Sequence, residues 1–187
     1  MRPFGNREFR TFLKAVDRQL SRPFRLDIIG EAAAVLSFRA ESGTTDIDVE
    51  NDVGPLKGVF EAAREKTGLD IPVGTVGIHD APWSYEDRVR RVRIPGLRKL
   101  QVFVPEKHDW ALMKIVRLLG KDIEDIREVS DKIGFNRNVF LKRFLEEMTH
   151  VIGRRADLVY NFVTMMSELY GDGEADRMEA AIRTYKG

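Results

Sequence analysis

Two aspartates, Asp46 and Asp48, stand two positions apart in the segment TDIDVE, where Ile47 and Val49 alternate with them. Strict alternation predicts a strand with one buried face, and the period of two places both carboxylates on the opposite face. Two ionised carboxylates at this spacing repel each other, so a cation must compensate them. Mg²⁺, or Mn²⁺ in its place, is expected, because it prefers oxygen ligands and commonly takes one or two protein carboxylates together with substrate phosphates. The alternative is an acidic strand face that only contacts solvent.

A second polar pair, Lys114 and Asp122, lies in a segment that predicts two helices separated at Gly120. Lys114 lies off the apolar stripe of the first helix and is expected to face a cleft, and the break lets Asp122 turn back towards it. The stripe comprises Leu112, Ile115, Val116 and Leu119. The alternative is an ordinary surface lysine and an aspartate that caps the second helix.

Hydrophobic periodicity predicts the elements that position these residues. The predicted strands are 25–29, 45–50, 71–79, 89–94 and 98–104, and the predicted helices are 6–20, 31–38, 55–68, 106–119, 121–133, 136–149, 154–170 and 173–185. Asn6 is the expected cap of the first helix. The sequence therefore predicts an α+β fold, with a small mixed sheet in 1–104 and a helical bundle in 105–187.

Composition excludes several classes of chemistry. The 187 residues include no cysteine, which rules out disulfides, thiolate metal sites and cysteine nucleophiles. The net charge of +1 means that nucleic-acid binding would depend on local basic patches. The first ten residues lack the apolar core of a signal peptide, and no apolar run approaches the roughly 20 residues that span a bilayer. We expect a soluble cytoplasmic protein.

Two motifs resemble known nucleotidyltransferases. IIGEAAAVLSFRAESGTTDIDVE resembles the signature of minimal nucleotidyltransferases of the DNA polymerase beta-like superfamily, in which a glycine after a strand is followed, beyond a helix, by D-h-D or D-h-E. HDWALMKIVRLLGKDIEDI resembles a motif of the abortive-infection-type nucleotidyltransferase toxins, in which a lysine precedes (R/K)-D-h-x-D. With the chain between them, the motifs cover roughly residues 25–130, and the resemblance is to a bacterial branch of this group.

This resemblance implies a palm-like sheet and Mg²⁺-dependent transfer of a nucleotide from an NTP to an RNA hydroxyl, such as a tRNA end, or to a protein hydroxyl. It also implies a toxin–antitoxin or phage-defence role with a cognate antitoxin as partner. The implied catalytic residues are Asp46, Asp48, Lys114 and Asp122, with Asp46 and Asp48 as metal ligands and Asp125 as an accessory group. The implied nucleotide-binding residues are Gly30, Glu31, Ser42, Thr44, Thr45 and Lys114.

The sequence departs from the family pattern at two positions. Glu31 replaces a small residue beside the glycine, where a carboxylate would repel a triphosphate unless it points away or is paired. Gln101 occupies the expected place of a third carboxylate, which Asp80 or Asp122 would have to supply. A catalytically degenerate fold that acts as a binding or antitoxin-like protein is therefore an alternative.

The segment RVRRVRIPGLRK carries six Lys or Arg in twelve positions. They are Arg88, Arg90, Arg91, Arg93, Arg98 and Lys99. Such side chains make most contacts with nucleic-acid backbones, and the nearby Trp83 and Tyr85 are candidates for stacking on bases. The alternative is that these charges line the edge of a hairpin, where they discourage aggregation.

Residues 122–148 permit a third interpretation, a helix–turn–helix that binds DNA through Arg137, Lys142 and Arg143. Against this, Phe140, Leu141, Phe144 and Leu145 form a wide apolar stripe, which is typical of packing within a bundle.

Overall fold

The computed structural model describes residues 2–77 and 80–185. The chain forms two compact units. Unit 1 comprises Met1–Ile78 with Val89–Pro105, and unit 2 comprises His79–Arg88 with Glu106–Gly187. Among the described residues, no helix is both long enough and apolar enough to cross a membrane.

Unit 1 contains all five strands of the described residues and three helices. The strands are β1 (Phe24–Asp27), β2 (Ile47–Val49), β3 (Val73–Thr75), β4 (Arg90–Val92) and β5 (Leu100–Val104), and the helices are α1 (Asn6–Gln19), α2 (Gly30–Ser37) and α3 (Lys57–Thr67). A 3₁₀ turn, Gly54–Leu56, leads into α3. Ile78 and His79, the end of the strand predicted at 71–79, lie outside the described residues.

The strands of unit 1 form a mixed arrangement. β1 runs parallel to β5, β5 runs antiparallel to the edge strand β4, and β2 pairs in parallel with β3. An antiparallel bridge between Ile28 and Val49 links the end of β1 to the end of β2. The predicted α+β class with a small mixed sheet is therefore confirmed.

Helix α1 packs its buried face on α3, where the rings of Phe12 and Phe60 stack 6.4 Å apart. Asp17 lies on the same buried face and accepts three backbone N–H bonds from residues 98–100, at 2.7–2.9 Å. Burial raises the pKa of Asp17, but these hydrogen bonds more than offset it and lower the pKa below its usual value. Asp17 thereby fixes the start of β5 against α1.

The prediction that Asn6 caps α1 is wrong. The cap is Gly5, whose N–H donates to Glu8 Oε2 at 2.8 Å, and Asn6 is the first residue of the helix. The Asn6 amide instead donates to the carbonyl oxygen of Val35, 2.5 Å away, and so ties α1 to α2.

Unit 2 is a helical bundle, as predicted. Its helices are α4 (Lys107–Arg117), α5 (Gly120–Ile133), α6 (Arg137–Glu147), α7 (Arg155–Tyr170) and α8 (Asp172–Thr184), and a 3₁₀ turn spans Tyr85–Arg88. Helix α7 packs against α4, α5 and α8. The rings of Phe144 and Phe162, both fully buried, stack 4.0 Å apart between α6 and α7.

Candidate functional site

The two aspartates lie on the partly exposed side of β2. Ile47 and Val49 are fully buried, whereas Asp46, directly before the strand, and Asp48, its middle residue, are partly exposed. Burial therefore alternates as the sequence predicts, and it leaves both aspartates partly exposed while the aliphatic side chains hold the strand in the core.

Thr44 fixes the first carboxylate. Its hydroxyl donates to Asp46 Oδ1 at 3.0 Å, and its backbone pairs in both directions with Phe4. This pairing requires Gly43, because its φ is +65° and a Cβ there would lie 2.9 Å from the Phe4 carbonyl oxygen. Thr44 is buried, so its side chain positions Asp46. The prediction that this side chain contacts a nucleotide is therefore wrong.

The second carboxylate lies beside Gly30. This glycine has a φ of +62°, and a Cβ on it would lie 3.1 Å from Asp48 Oδ2. The Ile29 N–H donates to the Asp48 carbonyl oxygen at 2.9 Å, which holds the start of α2 against β2. Gly30 therefore lets α2 begin directly at the Asp48 carboxylate, and Glu31 lies in the first turn of that helix.

A Gly30→Ala variant tests this close approach. We expect a loss of about 1–2 kcal/mol in the free energy of unfolding, because alanine is strained at positive φ. We also expect a displaced Asp48 carboxylate and weaker binding of Mn²⁺. Chemical denaturation and Mn²⁺ titration measure the two effects. Gly58→Ala is the matched control, since a Cβ at Gly58, within α3, meets nothing within 4 Å. Equal stability and equal Mn²⁺ affinity of both variants would contradict the assignment.

The oxygen atoms of Asp46 and Asp48 fit a hard divalent cation such as Mg²⁺. Across residues 2–77 and 80–185, no group of three His, Asp or Glu side chains could hold a metal by itself. Gln101, at the position expected for a third carboxylate, pairs in register with Arg25 on β1. A cation at the aspartates would therefore take its remaining ligands from substrate phosphates and water.

In unit 2, the structure brings Lys114 and Asp122 together. Lys114 Nζ donates to Asp122 Oδ1 at 2.9 Å and to Asp125 Oδ2 at 2.8 Å. The prediction that Lys114 faces a cleft is wrong, because its side chain is only 7% exposed. Its amine neutralises two buried carboxylates, so it is not presented to a phosphate.

Asp122 also holds the turn between α4 and α5 in place. It accepts two bonds from Arg117, at 2.8 and 2.9 Å, and one from the Leu119 N–H at 3.0 Å. The capping aspartate of the alternative is thus confirmed, whereas its surface lysine is wrong because Lys114 is buried. Leu119, predicted to lie on the buried stripe, is 58% exposed, because α4 ends at Arg117 and the chain turns there.

A second network of buried charges in unit 2 centres on Asp109, which is fully buried. Arg88 binds both of its oxygens, at 2.9 and 3.0 Å, and Arg143 binds Oδ1 at 2.8 Å. Arg88 also contacts Glu147 at 2.6 Å, and Arg143 contacts Glu106 at 2.6 Å. Arg88 and Arg143 are therefore internal ion-pair partners and not the nucleic-acid contacts that the sequence suggests.

The other basic residues of 88–99 belong to unit 1 and differ from Arg88. Arg90, Arg91, Arg93 and Arg98 are exposed, and the first two lie on the edge strand β4. Lys99 Nζ instead donates to the Leu20 carbonyl oxygen. The four exposed arginines fit both interpretations of the segment. They could contact the backbone of a nucleic acid, or they could be the charges that line the edge of a hairpin.

The two aromatic residues predicted to stack on bases differ in exposure. Trp83 is 55% exposed, and its ring lies against that of His150 at a tilt of 44° with centroids 4.2 Å apart, whereas Tyr85 is only 5% exposed. Tyr85 is packed in the interior of unit 2, so the prediction that it stacks on a base is wrong.

The cations of the DNA-binding alternative are paired with carboxylates. Arg137 contacts Glu174 at 2.9 Å, and Lys142 lies 4.0 Å from Glu146. Phe140 and Phe144 on the same helix are fully buried. Helix α6 is therefore a packing element of the bundle, as its apolar stripe indicates.

The family model described as "Nucleotidyltransferase of unknown function (DUF6036)" matches residues 9–170. The chain belongs to this family. The matched span includes Asp46, Asp48, Lys114 and Asp122, and the expectation of a nucleotidyltransferase family is confirmed. No curated protein and no solved structure matches the chain.

In each unit of this DUF6036 protein, sequence reasoning misses residues that position a predicted site residue. Phe4 and Gly43 hold Thr44, and Arg117 shares Asp122 with Lys114. Glycine next to Thr44 is a weak signal, since turns contain glycine for many reasons. Arg117 lies one helical turn from Lys114, and that spacing is a usable signal for a shared partner.

Two carboxylates of the DUF6036 protein make unit 2 sensitive to acid. Burial raises the pKa of Glu106, but bonds from His108 and Arg143 prevail and lower it to about 2. The pKa of Asp122 likewise falls to about 2, because bonds from Arg117 and Lys114 outweigh burial. Their stabilisation is complete above the ordinary values of 4.5 and 3.8 and is lost as pH falls towards 2.

We therefore expect the free energy of unfolding to fall by several kcal/mol between about pH 5 and pH 2. Urea denaturation at a series of pH values measures this loss. The exposed pair of Arg183 and Glu179 is a control, because Glu179→Gln should leave the acid slope unchanged. A free energy of unfolding that stays constant down to about pH 2 would contradict the assignment.

Proposed function

We propose that this DUF6036 protein is a Mg²⁺-dependent nucleotidyltransferase that transfers a nucleotide from an NTP to an RNA hydroxyl. The observation that carries the proposal is the partly exposed pair of aspartates at β2, with Asp46 fixed by Thr44 and Asp48 set against Gly30. The membership of the chain in a nucleotidyltransferase family gives this pair its chemical context.

Asp46 and Asp48 would hold the ion. The chemistry that Mg²⁺ would supply there is polarisation of the phosphoryl group and easier loss of the proton from the attacking hydroxyl. In the transfer, the acceptor oxygen forms a bond to the α-phosphorus, the bond between the α-phosphorus and the bridging oxygen breaks so that pyrophosphate leaves, and the hydroxyl proton passes to water. Thr44 keeps Asp46 in one orientation, which reduces the reorganisation needed when the ion and the nucleotide bind.

The triphosphate would bind beside the start of α2. The N–H groups of a helix's first turn attract anions, and Gly30 brings that turn next to Asp48. Ser42 and Thr45 are exposed near the Thr44 bridge and are available as donors. Because the Lys114 amine is held by two buried carboxylates, the chemistry of the transfer would rest on Asp46 and Asp48.

RNA is the acceptor that the surface of unit 1 favours. Arg90 and Arg91 expose their side chains along the edge strand, and Arg93 and Arg98 follow in the same segment. Arginines at such a surface bind phosphate oxygens of a nucleic-acid backbone. A toxin–antitoxin or phage-defence role, with an antitoxin protein as partner, is proposed only from the family resemblance.

The proposal is tested by incubating the protein with each α-labelled NTP and total cellular RNA in the presence of Mg²⁺. We expect label in RNA with at least one NTP, lost on chelation of the metal. If the label appears in a protein band instead, the acceptor is a protein hydroxyl and not an RNA hydroxyl. The absence of label from both RNA and protein, for all four NTPs, would contradict nucleotidyl transfer.

A second candidate is a binding protein without transferase activity. Glu31 beside Gly30 and Gln101 on β5 favour it, because the first is anionic and the second cannot replace an ionised ligand. Calorimetric titration with ATP, CTP, GTP and UTP in Mg²⁺ separates the candidates. Binding heat without transfer indicates a degenerate nucleotide-binding member, and no heat with any NTP favours an antitoxin-like binding partner.

A further inference from the structure

One face of helix α1 carries a stripe of basic side chains. They are Arg7, Arg10, Lys14 and Arg18, of which the first and last are exposed and the other two partly exposed. Their spacings of three or four residues place them within about 80° of one another around the helix axis. The opposite face is fully buried at Phe9 and Val16. The helix therefore presents its cations on the side away from the core.

The loop between β4 and β5 lies along this stripe and adds two exposed cations, Arg93 and Arg98. Arg10 Nη1 donates to the Arg93 carbonyl oxygen at 3.3 Å. The Lys14 side chain passes Gly96, where a Cβ would lie 3.8 Å from Lys14 Cε. The four cations of α1 and the two of the loop thus form one surface of unit 1, called here the α1 basic surface.

The cations of the α1 basic surface are not neutralised by carboxylates. No Asp or Glu among residues 2–77 and 80–185 forms an ion pair with any of them. The two acidic residues of α1 are engaged elsewhere, since Glu8 pairs with Arg2 and the buried Asp17 accepts backbone N–H bonds. By contrast, the partly buried arginines of unit 2 are matched by carboxylates.

This surface concentrates positive charge in a chain that is almost neutral. Residues 2–25 and 89–99 contain twelve Lys or Arg against two Asp or Glu, whereas the net charge of the whole chain is +1. Like charges on one face repel each other and destabilise the folded state. A chain of phosphates removes that repulsion and releases its own counterions on binding. The α1 basic surface is therefore suited to a polyanion.

The lack of exposed apolar groups indicates the kind of polyanion. In the described part of unit 1, no large apolar or aromatic side chain is exposed; those that are, such as Trp83 and Tyr160, belong to unit 2. Single-stranded nucleic acids bind by stacking bases on aromatic rings, and membrane-surface helices insert apolar side chains. The backbone of double-stranded RNA, in contrast, is bound through its phosphates and sugars.

Helix α1 begins next to the β2 aspartates. Phe4, two residues before the helix, pairs through its backbone with Thr44, whose hydroxyl binds Asp46. The 14 residues of α1 extend for about 20 Å from there. The α1 basic surface is therefore continuous with the candidate site and long enough to contact several phosphates of one backbone.

We propose that the α1 basic surface binds the phosphate backbone of a base-paired RNA stem, independently of its sequence. This adds the cations of α1 to the arginines of 88–99 and defines the form of the RNA acceptor. The choice of RNA rests on the proposed transfer to an RNA hydroxyl, whereas the binding itself requires neither NTP nor Mg²⁺.

The test is fluorescence anisotropy of the full chain with a labelled RNA hairpin whose stem has about 16 base pairs, without NTP or Mg²⁺. The comparison probes are single-stranded oligouridylate with the same number of phosphates and vesicles that contain phosphatidylserine. We expect the hairpin to bind about tenfold or more tightly than the single strand, with an affinity that falls steeply as salt rises. Equal binding of the single strand, preference for the vesicles, or an affinity independent of salt would overturn the proposal.

The double variant Arg7→Gln, Arg18→Gln removes two exposed cations of α1. Its affinity for the hairpin should fall roughly tenfold or more, and the slope of log affinity against log salt should decrease by about two. Its melting temperature should be unchanged or higher, because repulsion is relieved. Lys57→Gln, Lys66→Gln is the matched control, since both lysines are exposed on α3, whose exposed side also carries glutamates. Equal hairpin affinities of the two double variants would overturn the role of α1.

Transfer assays at limiting hairpin concentration separate this proposal from the proposed function. If the hairpin binds but no NTP labels it, nucleotidyl transfer to RNA is overturned and the α1 basic surface stands. If the hairpin is labelled and the Arg7→Gln, Arg18→Gln variant transfers at the unmodified rate, the α1 basic surface is overturned and the transfer stands.

Discussion

An Asp48→Asn variant is expected to lose nucleotide transfer by roughly a thousandfold while keeping its fold. Asparagine has nearly the shape of aspartate and fits beside Gly30, but it lacks the negative charge that holds a divalent ion over the phosphates. A thousandfold corresponds to about 4 kcal/mol of transition-state stabilisation, which is typical of a lost metal contribution. Initial rates with labelled NTP measure the loss, and circular dichroism checks the fold.

Glu50→Gln is the control for this variant. Glu50 directly follows β2, two positions from Asp48, and is also partly exposed, so its substitution removes an equal charge from the same segment. We expect a change in rate of only a few fold. If Asp48→Asn retains most of its rate, the Asp48 carboxylate has no catalytic role. If Asp48→Asn and Glu50→Gln lose equal rate, the loss reflects the charge of the segment and not a specific role of Asp48.

A Lys114→Met variant is expected to destabilise unit 2 by about 3–5 kcal/mol. The substitution removes the amine that contacts Asp122 and Asp125, of which the first side chain is fully buried and the second 5% exposed. Two carboxylates would then share a low-dielectric interior, while Arg117 and the Leu119 N–H stay bound to Asp122. Such unpaired charge costs more than the hydrogen bonds alone. Chemical denaturation gives the free energy of unfolding.

Lys142→Met is the matched control, because this lysine is 69% exposed and its nearest carboxylate, Glu146, lies 4.0 Å away. We expect a change below about 1 kcal/mol for this control. Lys114→Arg retains the charge and should keep much of the stability, so its nucleotide affinity separates a phosphate-binding role from a structural one. Similar stabilities for the methionine variants would contradict the account of Lys114 as an internal counter-charge.

The helices of this protein are predictable from sequence to within a few residues. Helices α4 to α8 have apolar stripes and are separated by glycines such as Gly120, Gly134 and Gly171, which interrupt the pattern where the chain turns. The strands are harder to predict, because β3 has only three residues and all are at least partly exposed. The strand at Asp46 and Asp48 is the exception, because apolar and acidic residues alternate there and so identify its buried face and its exposed face.

The partners of charged side chains are much less predictable. Spacing brings Lys114 near Asp122, but it does not show that Asp125 closes around the amine or that the whole group is buried. Arg88 looks like part of a basic strand, yet the chain passes from unit 2 to unit 1 just after it, and Asp109 holds it inside. Such pairings depend on tertiary packing between residues distant in the sequence.

Asp17 illustrates a signal that sequence reasoning can use. It follows Leu13 by four positions, so it lies on the buried face of α1, where a carboxylate requires strong hydrogen bonds. The structure supplies them from the backbone at the start of β5. The location of an acidic residue on an apolar helix face therefore indicates a structural anchor, although its partner cannot be named from the sequence.

Electron paramagnetic resonance of free Mn²⁺ tests most directly whether the β2 carboxylates hold a divalent ion. Titrating the unmodified protein with Mn²⁺ should reduce the free-ion signal, and added Mg²⁺ should restore it. The double variant Asp46→Asn, Asp48→Asn should leave the signal close to that of buffer. Equal Mn²⁺ binding by the unmodified protein and the double variant would show that the ion does not depend on these two side chains.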